Sequence, residues 1–219
     1  PPPPTLTAPT GVRALPGPGA AFLFWDALRN QFGAERASGY RIYTGTDAAA
    51  ATGPTFDVPP TNGNPFIHYG TGVVDGSTWY YRVAAKAGAT VGPSSAPASA
   101  LIGAPAGGTE VASTVAFPGV MPTGPLFVGV YRQSGGGGPS DIRFLKVDAP
   151  VSGAQHGIQG VPAGTWTPFA FLDQNSSHLV DAGDLKNFED GGGGPPVAVP
   201  PASVLAQTLS GPPAIATAP

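Results

Sequence analysis

Apolar positions along this chain either alternate with polar ones or gather in runs of four to six between Gly and Pro punctuation, and helical periodicity is nearly absent. In Thr78–Ala85, Trp79, Tyr81, Val83 and Ala85 share one face, and Tyr80, Arg82 and Ala84 take the other. Tyr40 and Ile42 alternate with Arg41 and Tyr43 in the same way. The pattern predicts strands over Gly11–Leu15, Ala21–Asp26, Gly39–Thr44, Thr55–Val58, Phe66–Tyr69, Thr78–Ala85 and Ser99–Ile102. Closely spaced short strands of this kind read as a β-sandwich. Asp47–Thr52 reads as a helical turn, too short to stand alone.

The stretch Gly103–Gly108 contains no core-forming residue and marks a domain boundary. Beyond it a second strand series is predicted: Glu110–Phe117, Leu126–Arg132, Ile142–Val147, His156–Gln159, Thr165–Leu172 and Ala202–Leu209. Gly135–Gly138 and Gly191–Gly194 read as loops, and the Pro-rich ends Pro1–Pro9 and Gly211–Pro219 favour extended polyproline II. The expected fold is all-β: two tandem immunoglobulin-like β-sandwich domains, residues 1–104 and 105–219.

Composition changes the picture in three ways. Gly (33) and Pro (28) are abundant enough to suggest disorder, but 41% of the 219 residues are hydrophobic, enough to build sandwich cores. Charged residues are 11%, against a usual ~25%, so repulsion between copies is weak and self-association is tolerated. The net charge of −3 leaves no basic footprint for nucleic acid, and no apolar run approaches the ~20 residues of a membrane helix. Cysteine is absent, which excludes disulfides, thiolate metal sites and cysteine nucleophiles. Residues 1–4 are prolines and carry no secretory signal pattern, although a signal removed earlier is compatible with the sequence. A cysteine-free chain rich in Thr, Ala, Gly and Pro fits a bacterial protein that is secreted or on the cell surface.

Asp75-Gly76-Ser77-Thr78-Trp79-Tyr80-Tyr81-Arg82-Val83-Ala84-Ala85 resembles the sixth strand of fibronectin type III domains. Trp25 stands where that family's second strand carries its core Trp, Ser38–Tyr43 matches the third strand, and Gly92–Pro97 matches the turn into the last strand. The resemblance spans residues 5–102 and implies a spacer or interaction module rather than a chemistry. One position departs from it: Trp79 occupies the place of the corner tyrosine, and an indole N–H donates but cannot accept, so the corner bond is either replaced or absent. No Arg-Gly-Asp occurs to suggest integrin-type adhesion.

In the second half, Gly160–Trp166 followed by Phe169–Asp173 resembles transthyretin-like or carboxypeptidase-regulatory-like β-sandwich modules, over residues 109–209. Next comes Asp173–Asp184, the one constellation with metal chemistry. Asp173, Asn175, Ser177, Asp181 and Asp184 place oxygen side chains at positions 1, 3, 5, 9 and 12, with the Leu179 carbonyl at position 7. That is the spacing of an EF-hand or dockerin-type Ca2+ loop. His178 replaces the usual Gly at position 6 and Asp184 the usual Glu at position 12, so modest affinity is expected. The alternative is a solvated Asp/Asn/Ser loop without an ion.

No catalytic residue is assigned: the three histidines form no HxH or HxxxH pair, no Gly-x-Ser-x-Gly is present, and the carboxylates are scattered outside residues 173–190. His68 reads as an exposed or capping residue, and Trp25 and Trp79 as core; Trp166 is either core or a sugar-stacking platform. Two functions follow. The first is a structural, self-associating subunit or spacer of an extracellular filament or surface assembly. The second is an accessory module binding polysaccharide or a surface protein.

Overall fold

A computed structural model describes residues 6–29, 35–50, 52–60, 65–117, 122–133, 139–181, 184–187, 197–199 and 205–209. The protein is all-β among these residues, and the chain divides into two compact units, Pro1–Gly103 and Ala104–Pro219. No helix among the described residues is long and apolar enough to cross a membrane.

The first unit contains β1 (Arg13–Gly17), β2 (Ala20–Phe24), β3 (Gly39–Gly45), β4 (Thr55–Val58), β5 (Phe66–Tyr69), β6 (Thr78–Ala87), β7 (Thr90–Ser94) and β8 (Ala98–Leu101). One sheet has the order β1-β2-β5; the other has the order β4-β3-β6-β7, with β8 also on β6. Aromatic and β-branched residues at period two suit a pleated surface with one face buried. Their side chains fill the space between the sheets. Trp25 meets Tyr40 edge-on at 5.1 Å, and Phe56 of β4 lies 4.9 Å from Phe66 of β5. This unit is a two-sheet β-sandwich, as expected.

Three sequence expectations are resolved here. His68 is not exposed: it is 2% accessible, its ring lies 4.6 Å from Trp79, and its Nδ1 is 3.2 Å from the Tyr81 hydroxyl. All four β5 side chains except Tyr69 are buried, so the strand does not follow the half-exposed alternation that would place a His in solvent. The corner bond is replaced rather than lost, because Trp79 Nε1 donates to the Gly72 carbonyl at 3.3 Å. Asp47–Ala50 forms a tight turn rather than helix: the Ala50 amide donates to the Asp47 carbonyl at 2.9 Å, and Ala50 has φ 52°. The Asp47 carboxylate also captures the Ala49 amide at 2.8 Å, the local competition that keeps Asp out of helix interiors.

The second unit contains β9 (Thr109–Ala116), β10 (Leu126–Gln133), β11 (Pro139–Val147), β12 (Gln155–Val161), β13 (Gly164–Leu172), β14 (Leu185–Lys186), β15 (Val197–Val199) and β16 (Leu205–Thr208). One sheet runs β11-β10-β13-β14, with β15 on β13; the other runs β12-β9-β16. The two share a core that includes Val111, Val115, Leu126, Val128, Ile158 and Trp166. Trp166 is 1% accessible, its Nε1 donates to Pro162 O at 2.8 Å, and the Arg132 guanidinium covers its ring at 4.2 Å. It is core, and the sugar-platform alternative falls.

The last strand among the described residues, β16, lies parallel to β9, with Leu205 opposite Ser113 and Thr208 opposite Ala116. A chain of polar groups, with Ser113 and Gln207 buried and Asn187 half-buried, locks it there. Asn187 Nδ2 donates to Gln207 Oε1 at 2.6 Å, Gln207 Nε2 to Ser113 Oγ at 2.8 Å, and Ser113 Oγ to Leu205 O at 3.2 Å. Strands β7, β14 and β15 go beyond the pattern reading. The predicted strand over Ala202–Leu209 is observed from Leu205, its first residues falling outside those described. The expected loops Gly135–Gly138 and Gly191–Gly194, residues 1–5 of the first tail and all of Gly211–Pro219 also lie outside the described residues.

Candidate calcium loop

Strand β13 delivers Asp173 to the end of the core. The preceding Phe171 and Leu172 are fully buried, and the Asp173 amide donates to Pro125 O at 3.0 Å. Gly124 passes so close that a Cβ there would lie 1.8 Å from Asp173 O, so only glycine fits. Thr123 fixes the other side: its Oγ1 donates to Gln174 O at 2.5 Å and its amide to Gln174 Oε1 at 3.2 Å.

The loop then folds around its own oxygen atoms. Asp173 Oδ1 accepts the Ser177 amide at 3.1 Å, and Oδ2 the His178 amide at 3.2 Å. Asn175 Oδ1 also accepts the Ser177 amide at 3.0 Å, while Asn175 Nδ2 donates to the Asp181 carboxylate at 3.0 and 3.3 Å. The Leu179 amide donates to Ser177 Oγ at 3.2 Å, and Ser177 Oγ to the Leu179 carbonyl at 3.4 Å. Asp184 closes the circuit, its Oδ1 accepting the Gln174 amide at 3.1 Å and its Oδ2 the Asp181 amide at 3.0 Å. Buried Leu179 and Val180 anchor the turn to the unit.

Two features bear on ion binding. His178, at the position normally held by glycine, has φ 64°, and Ser176 has φ 54°. The backbone therefore makes the sharp turn despite a side chain that tolerates it less readily than Gly does. Asp173 and Asp184 are also carboxylates at 0% and 1% accessibility. Burial pushes the Asp184 carboxyl up to about 7, and the negative charges of Asp173 and Asp181 add to the rise. Among the described residues, no three His, Cys, Asp or Glu side chains stand ready as a metal-binding group. Half the donor set is instead carboxamide, hydroxyl and backbone carbonyl, and the carboxylate oxygens are turned onto loop amides. Ala182 and Gly183 lie outside the described residues.

Spacing alone points to all six donors. It does not reveal their scaffold of Thr123, Gly124 and Gln174, nor Asn187, whose Oδ1 accepts the Ala170 amide at 2.8 Å just past the loop. Only the Thr-Gly-Pro turn ahead of β10 hints at the close approach.

No protein-family model matches the sequence, and no curated protein sequence matches it. Among solved structures, the chain is similar to the FN1–FN3 domains of chicken CNTN1, at 14% identity and TM-score 0.34, covering 95% of this chain and 68% of that one. A two-domain fibronectin type III segment of chicken tenascin is 12% identical with TM-score 0.34, covering 88% and 97%. The chicken interferon gamma receptor alpha chain is 10% identical with TM-score 0.32, covering 79% and 92%.

Proposed function

We propose that this chain is a non-enzymatic structural module of an extracellular or surface assembly, and that calcium stiffens its second, transthyretin-like unit. The observation that carries the calcium reading is the pair of buried carboxylates, Asp173 and Asp184, at the two ends of one twelve-residue turn. Burying like charges is costly unless a cation or a proton compensates them. The donors Asp173, Asn175, Ser177, Leu179 O, Asp181 and Asp184 are all hard oxygens on a loop, which suits Ca2+ better than a softer metal. On binding, the ion would replace the amide hydrogen bonds that these oxygens now accept.

Titrating calcium while following the melting temperature tests this reading. A Kd on the order of 10⁻⁵ to 10⁻³ M is expected, as for extracellular modules. Stabilisation should reach about 2.7 kcal/mol at a hundredfold excess over Kd. No shift at millimolar calcium, or an undiminished shift in Asp173→Ala, rejects the site.

The assembly reading is supported by the sparse surface charge and by the open sheet edges of both units, which invite pairing where charge, Pro or cover does not block them. Head-to-tail contact builds a ring or a filament. Light scattering on the full chain and on chains lacking Pro1–Pro9 or Gly211–Pro219 tests it. Truncation should lower the assembly state without unfolding either unit.

A further inference from the structure

The candidate calcium loop runs directly into a hydrogen-bond relay. Its last donor, Asp184, is followed by the two residues of β14, which pair with the end of β13: Leu185 lies opposite Leu172 and Lys186 opposite Phe171. The next residue, Asn187, brackets Ala170 on β13. Its amide donates to Ala170 O at 3.2 Å, and its Oδ1 accepts the Ala170 amide at 2.8 Å. The other end of the same carboxamide reaches the opposite sheet. Nδ2 donates to Gln207 Oε1 at 2.6 Å, and Gln207 Nε2 passes the chain on to Ser113 Oγ at 2.8 Å. One side chain, three positions past a ligand candidate, thus touches both sheets of the unit.

The seam that Asn187 reaches is short. β16 has four residues, lies at the end of the order β12-β9-β16, and pairs with β9 alone among the described residues. A strand held along one edge opens locally more readily than the whole unit unfolds. Both ends of the Asn187 carboxamide are engaged when the seam is closed, so a shift of β14 along β13 leaves Ala170 or Gln207 short of a bond. Asp184 sets the other end of β14, because its Oδ1 and Oδ2 hold the Gln174 and Asp181 amides. An ion that fixes Asp184 therefore fixes β14, and Asn187 carries that constraint to Gln207.

We propose that calcium bound in the 173–184 loop holds the β9–β16 seam closed, with Asn187 and Gln207 as the coupling. The proposal rests on the calcium reading and names what the ion controls: a strand outside the loop, in the other sheet.

Hydrogen exchange on the full chain, with and without calcium, reads the coupling at the β16 amides, and calorimetry reads binding. At a hundredfold excess of calcium over Kd, exchange in β16 should slow at least about fivefold. The ceiling is about a hundredfold, reached when opening the seam releases the ion. Gln207→Met keeps the length and apolar contacts of the side chain but cuts the relay beyond Asn187. It should bind calcium within about threefold of the parent Kd, yet show less than about twofold slowing in β16. A Gln207 with only a packing role speeds exchange equally with and without calcium and leaves the slowing in place. That outcome overturns the proposal while the calcium site stands. Slowing confined to residues 174–181 in the parent chain does the same. No heat of binding at millimolar calcium overturns both readings. Asn187→Ala cuts the relay one residue earlier and should give the same loss of slowing, which decides the matter should Gln207→Met not fold.

Discussion

Gln207 Nε2 donates a 2.8 Å hydrogen bond to Ser113 Oγ, across a parallel strand pair and between residues 94 positions apart. Both are buried, and Gln207 Oε1 in turn accepts from Asn187. Gln207→Ala leaves both partners short of a bond inside the unit and should cost about 1–3 kcal/mol. In hydrogen exchange the loss should concentrate in β9 and β16. Ser113→Ala added to Gln207→Ala should cost less than the two separate losses together, because they share one network.

The pH dependence of the second unit should expose Asp184. Its carboxyl is raised to about 7 in the folded loop, first by burial and then by Asp173 and Asp181, whereas an unfolded Asp titrates near 3.9. The folded state thus binds more protons between those values, so stability from this group falls as pH rises from about 4 to about 7 and is level above that. Without divalent cations, the parent chain minus Asp184→Asn should show this downward slope. Equal slopes in the two chains would disprove it.

The first unit should fold by itself, because both of its sheets and its aromatic core lie within one compact unit ending at Gly103. Residues 1–104 should unfold in one cooperative thermal transition. Within that fragment, Trp79→Phe removes the donor to Gly72 O but keeps most of the packing, and should cost about 0.5–1.5 kcal/mol. Trp79→Ala also opens a cavity beside His68 and should cost about 3–5 kcal/mol.

Asp57→Asn should change little at neutral pH and less still in high salt. Hydrogen bonds from Arg41, then Lys86, hold the Asp57 carboxyl below its ordinary range. Its stabilisation is therefore present above pH 4 and fades as acid protonates it. The pair is solvent-exposed, where screening leaves ion pairs weak. A large loss of melting temperature would show that Asp57 does more than balance its two neighbours.

These residues also show where sequence reading succeeds. β4 and β5 have the bounds that the pattern predicts, because Gly, Pro and Asn punctuation isolates each short apolar run. Trp25, Trp79 and the inward row of β6 are legible because one alternation serves one buried face. Strand β7 is missed because Gly92 and Pro93 read as a turn, and β14 and β15 because two or three residues carry no period. His68 is misjudged because β5 is covered on both sides, which a single strand cannot report. The loop's oxygen side chains stand out in the sequence because their spacing is local. The Asn187–Gln207–Ser113 chain is invisible, since only the crossover of β16 brings those residues together.

That crossover has a mechanical consequence. Among the described residues, β9 is the first strand of the second unit and β16 the last, and they point the same way. Tension applied to the chain before Thr109 and after Leu209 pulls them past one another lengthwise. Their backbone bonds and the Gln207–Ser113 bond are then strained together, whereas an antiparallel pair pulled from its open end parts one bond at a time. Under traction the second unit is a shear clasp. In single-molecule stretching it should rupture at high force, and Gln207→Ala should lower that force.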